Sequence, residues 1–196
     1  MKIVRFVTAF QRSMIALALM SGVPSLAFAQ DGHAHAQEQS EVSAAQASAL
    51  IQTVRQATER FKDVHTAEAE GYQLQFGCVS GGDFGAMGLH YVNGALVNSG
   101  VVDPAHPQIV IYEPTADGKL RLIGADFLVM AARWNAHHKG QPPQLMGQLF
   151  HLFDAPNRFG LPAFYTLHVW AWKPNPNGAF VNWHPNVNCQ NFNPVN

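Results

Sequence analysis

From residue 77 onward the chain alternates short runs of apolar, β-branched and aromatic residues with clusters of Pro, Gly, Asn and Asp. That pattern leaves room for little except strands joined by turns. Strands are predicted at 89–97, 109–113, 120–129, 148–153 and 164–173. The breaks hold Asp103-Pro104, Pro114, Pro142-Pro143 and Pro156-Asn157. Asp117-Gly118, between YEP and LRLIG, is a hairpin signal. Residues 130–147 are read as a short helix followed by a loop. Ahead of the strands, Leu50, Val54, Ala57, Phe61 and Val64 recur at spacings of 4, 3, 4 and 3, which places them on one face of a helix over about 43–69. Ser43 is a suitable N-cap and Gly71 a stop. One helix followed by a series of strands predicts an α+β domain, with the N-terminal helix packed on a curved, mainly antiparallel sheet.

GCVSGGDFGAMG (77–88) places five glycines in twelve residues, which suits tight turns and close backbone approach. No GK[ST] follows and GxGxxG is absent, so the stretch is not a phosphate loop.

The N-terminus has the layout of a cleaved secretory signal. Lys2, Arg5 and Arg12 form a positive front, residues 14–20 are apolar, and Ala27-Phe28-Ala29 presents small residues at the positions a signal peptidase reads. A membrane-spanning helix needs about 20 unbroken apolar residues; Gly22 and Pro24 interrupt this core well short of that. The expected organisation is a signal at 1–29, a flexible polar lead-in at 30–42 and a single α+β domain at 43–196, periplasmic or secreted, with no membrane span after cleavage. His33 and His35 in the lead-in can bind copper or zinc weakly but are read as part of a solvated tail.

Cleavage removes three of the twelve Lys+Arg and none of the thirteen Asp+Glu. The mature chain then carries about −4 with His neutral, which argues against nucleic acid or an anionic membrane as partner. A metal ion or a small-molecule ligand is the expected partner. The two cysteines, Cys78 and Cys189, read as one disulfide in an oxidising compartment. No CxxC spacing flanks either residue, so a thiolate metal site is disfavoured.

Eight of the ten histidines follow residue 60, and three of them, His90, His151 and His168, fall within predicted strands. Alternate strand residues share a face. His168 therefore shares its face with Phe164, Thr166, Trp170 and Trp172, and Glu113 ends an apolar row of Ile109 and Ile111. Asp126 sits inside LIGADFLV, where a solvated carboxylate is out of place. A buried charge costs several kcal/mol unless paired or metal-bound. These residues predict a pocket where His90, Glu113 and His168, joined by His151 or Asp126, hold a transition metal ion (zinc, copper or iron) with an open position. Without HExxH or HxH in the folded part, each histidine taken singly reads first as a hydrogen-bonded core or surface residue. A metal-free variant pairs His168 with Glu113 for general acid–base work. Ser80 lacks the GxSxG elbow of a nucleophile. The many aromatics, Tyr91, Phe127, Trp134 and Trp170 among them, are core residues or the lining of an apolar pocket.

The blocks GCVSGGDFGAMGLHYVN (77–93), IYEP (111–114) and PNRFGLPAFYTLHVWAWKPNPNGAF (156–180), with the closing Asn-Cys, resemble a group of uncharacterised exported bacterial proteins. The resemblance covers most of the mature chain. It implies export and a single domain and carries over no catalytic residue. The expected function is that of an exported metal-binding protein, a small metalloenzyme with a His/Glu site on sheet strands. The alternatives are a metal-free periplasmic module for a small apolar or aromatic ligand, and a structural partner in an envelope complex.

Overall fold

A computed structural model describes residues 29–193, so the expected signal lies outside the described residues except for Ala29. The chain divides into residues 1–37 and 38–196. Of the first unit, residues 29–37 form the opening turns of helix α1 (Ala29–Thr58); every strand belongs to the second unit. Helix α1 starts well before Ser43 and runs through the stretch expected to be a flexible lead-in; Ala, Gln and Glu there are good helix formers. The single helix expected to reach Ala69 is instead broken. A 3-10 turn (Glu59–Lys62) follows α1, and Asp63 then caps a short α2 (Val64–Ala69) by accepting from the His65 N–H.

Eight strands come next: β1 (Tyr72–Ser80), β2 (Ala86–Asn93), β3 (Ile109–Pro114), β4 (Leu120–Met130), β5 (Gln144–Leu145), β6 (Gln148–Leu149), β7 (His151–Phe153) and β8 (Phe164–Val169). Two short helices, α3 (Gly94–Ser99) and α4 (Ala131–His138), interrupt them. Six strands form one open antiparallel sheet in the order β1-β2-β3-β4-β8-β7. The predicted strand at 89–97 ends at Asn93 because the Asn93 side chain accepts from the Leu96 N–H and caps α3. Strand β8 stops at Val169, so Trp172 leaves the His168 row and its indole N–H donates to Thr58 Oγ1 on α1.

The two faces of the sheet divide the core. Leu50 and Val54 of α1, with Phe61, cover the face made by Val110, Tyr112, Phe127 and Leu167, all almost fully buried. Burying a Leu or Val side chain contributes about 1.5–3 kcal/mol, so this face anchors the helix. The opposite face carries Ile109, Ile111, Leu128 and Phe164. Register shifts within β1–β2 and β3–β4 bend the sheet. Gly124 sits at the β3–β4 shift, where a Cβ would meet the Val169 carbonyl oxygen at 2.6 Å. Cys78 and Cys189 form a disulfide with Cα atoms 5.7 Å apart, tying β1 to the C-terminal segment. Among the described residues no helix is long and apolar enough to cross a membrane.

Candidate metal centre

His90 on β2 and His168 on β8 are separated by β3 and β4. In a flat sheet their backbones would lie about 14 Å apart. Their Nε2 atoms nevertheless stand only 3.4 Å from one another, because the sheet curls and both rings lean across its concave face. Asp126 on β4 is the direct cross-strand partner of His168 and of Ile109 on β3, so its carboxylate rises between the two imidazoles. One ligand atom each from His90, Asp126 and His168 lies within 4.8 Å of the others, and all three residues are buried. This group can hold a metal ion.

The hydrogen bonds around the group prepare its donors. His90 Nδ1–H donates to the Gly88 carbonyl at 3.3 Å, which leaves the Nε2 lone pair facing His168. Gly88 makes this possible. Its φ is +91°, and a Cβ there would meet the Tyr112 carbonyl oxygen at 2.5 Å, so only glycine fits. The Thr166 hydroxyl donates to Asp126 Oδ1, and the Leu167 and Phe127 backbone N–H groups lie close enough to favour the ionised carboxylate. His168 Nδ1 lies 3.7 Å from Asp126 Oδ1, too far for a hydrogen bond, and has no partner among the described residues.

Burial dominates the electrostatics. It pushes His90 down to about 4, helped by the neighbouring His168, and pushes His168 down to about 3, helped by His151. It pushes Asp126 up to about 6, against the opposing pull of His90, Thr166 and the two backbone donors. At neutral pH the imidazoles are therefore neutral and the carboxylate ionised, the protonation states a divalent metal requires. The site is then a buried anion with no Lys or Arg beside it among the described residues.

The other buried carboxylate differs in that respect. Glu113 stands on the same concave face but two residues beyond Ile111, about 7 Å further along the strand. There Arg121 and Lys173 bind its two oxygens. The structure does not bring Glu113 to the histidines; the cations already neutralise it, and its place in the group is taken by Asp126. His151 is not brought in either. It faces the same side of edge strand β7, opposite Thr166, but is exposed and outside the group of three. Ser80 ends β1 exposed, paired with Ala86 four residues along β2 from His90, its carbonyl accepting from Arg158.

The His90–Asp126–His168 group closes one end of a cavity of about 460 Å³ on the concave face. Its walls are apolar, with Met87, Ile109, Leu128, Met130, Phe153 and Phe164. Exposed Gln73, Gln75 and Asn98 stand among its lining residues. The segment after β7 arches over it. Phe159 in this segment packs on Phe164 and, at 5.4 Å between ring centroids, on Phe76 of β1. Phe76 has φ +64° in the β1 bulge, which turns its ring toward Phe159. No family description, curated protein or solved structure matches the chain.

Proposed function

We propose that this protein binds one transition-metal ion, zinc in first place, through His90, Asp126 and His168. The supporting observation is the 3.4 Å between the two Nε2 atoms. Two zinc–nitrogen bonds of about 2.0–2.1 Å at a tetrahedral angle hold their nitrogens about 3.3–3.4 Å apart. An octahedral pair at right angles would need them about 3 Å apart, which places iron second. The uncompensated buried charge of Asp126 supports the same reading, because a cation there removes the cost of burying it. Three protein ligands with a fourth position open to a cavity is the arrangement of a catalytic rather than a closed structural zinc site. A metalloenzyme whose substrate enters the concave face follows from it. We also place the protein outside the cytoplasm, on the Cys78–Cys189 disulfide and the secretory layout of residues 1–29.

The test is metal content by mass spectrometry on the chain from Gln30, untagged, with His33 and His35 replaced by Ala to remove weak tail binding. About one equivalent of zinc is expected after loading and desalting, retained in Glu113→Ala and His151→Ala but lost in His90→Ala, Asp126→Ala and His168→Ala. A parent that retains no zinc, copper or iron, or retains metal through all three of the latter substitutions, overturns the assignment.

A further inference from the structure

The cavity on the concave face also indicates what approaches the metal. We propose that it takes a small uncharged aromatic molecule bearing one hydroxyl, a phenol of one or two rings, with its ring against the phenylalanines and its oxygen at the His90–Asp126–His168 end. Only the placement of the oxygen rests on the metal reading; the walls alone hold the ring.

Four observations carry this. An engineered cavity of about 150 Å³ holds one benzene, so about 460 Å³ has room for two rings and a substituent. Apart from Asp126 the lining contains no Lys, Arg, Asp or Glu. A phosphate, carboxylate or ammonium would therefore lose its hydration with nothing along the walls to replace it. Phe153 and Phe164 stack with centroids 5.2 Å apart, and Phe159 and Phe76 continue the aromatic surface to the β1 side. Met87 and Met130 add sulfur, and both ring faces and thioethers favour an aromatic guest over an aliphatic one. The buried polar side chains, Thr166 included, are gathered at one end, so the guest needs a single polar group there and an apolar body elsewhere.

The experiment is calorimetric titration of the chain from Gln30, in chelator and after zinc loading, with 2-naphthol and with 2-naphthyl phosphate. Val97→Trp and Met130→Trp fill the cavity from α3 and from β4 without touching the three ligands. Two variants guard against one that fails to fold, and near-ultraviolet circular dichroism checks each. The chelated parent should bind 2-naphthol and not 2-naphthyl phosphate. Zinc should tighten naphthol binding, and either tryptophan should weaken it by about tenfold or more while leaving zinc content unchanged. Absence of naphthol binding in both forms, equal binding in the folded tryptophan variants, tight binding of the phosphate in chelator, or an affinity unchanged by zinc that the protein has demonstrably taken up overturns the proposal. The two readings fail separately. Naphthol bound without any metal uptake sinks the metal assignment and leaves the aromatic cavity, whereas zinc bound without naphthol does the reverse.

Discussion

Without metal, the protein should lose stability on mild acidification, and three buried groups set the size of the loss. His90 and His168 are held at about 4 and about 3 against an ordinary 6.5, and Asp126 at about 6 against 3.8, in each case chiefly by burial. As pH falls below 6.5 the unfolded chain protonates both imidazoles while the folded chain keeps them neutral. Acid therefore favours unfolding through His90 down to about 4 and through His168 down to about 3. Asp126 acts in the opposite sense, because between about 6 and 3.8 the folded carboxyl is protonated and the unfolded one is not. Two protons against one leave a net uptake of about one proton on unfolding between pH 6 and 4, or about 1.4 kcal/mol per pH unit. The loss across that window is about 3 kcal/mol, a large part of the roughly 5–15 kcal/mol that holds a domain folded. Urea unfolding in chelator at stepped pH measures it. The control is a His90→Gln/His168→Gln double variant, in which only Asp126 of the three remains and which should lose less stability than the parent, by up to two protons' worth of slope, as pH falls through the same window. His184 and the surface groups are common to both proteins and cancel in the comparison. A double variant with the same pH slope as the parent would refute the burial argument.

Replacing both Cys78 and Cys189 by Ser releases a cross-link between residues 111 apart and should cost about 2–4 kcal/mol in urea unfolding; an unchanged midpoint would contradict this. Glu113→Gln should cost about 1–2 kcal/mol, between the surface and buried ion-pair ranges because Arg121 and Lys173 remain partly exposed. The same variant should bind zinc as the parent does, and metal loss there would mean that Glu113 belongs to the site. Leu50→Ala should cost about 2–5 kcal/mol by thermal or urea unfolding, since Leu50 is fully buried between α1 and the sheet. A loss below about 1 kcal/mol would show that the helix does not anchor that face.

The sequence carries the fold class because it rests on periodicity. The spacing of Leu50, Val54 and Phe61 predicts the buried helix face, and all three side chains are buried. The Asp117-Gly118 hairpin joins β3 to β4 as its turn chemistry requires, with Gly118 at φ +78°. Strand β1 goes unpredicted because Gln73, Gln75 and Gly77 interrupt its apolar pattern; it is an edge strand whose ladder needs no buried run. The site is half legible. Strand alternation puts His90, His168 and Glu113 on plausible faces, and Asp126 is conspicuous as a carboxylate within an apolar strand. The choice between Asp126 and Glu113 turns on register and on strand order. β4 pairs with β8 so that Asp126 meets His168, while Lys173 folds back onto Glu113, and neither pairing has a local sequence signal.

The most direct measurement is anomalous scattering at the zinc edge from crystals grown with zinc. A single strong peak about 2.0–2.1 Å from the Nε2 atoms of His90 and His168, with an Asp126 oxygen completing the protein ligands, is the predicted result. A peak beside Glu113 or the exposed His137-His138 pair, with none between His90 and His168, would contradict the assignment.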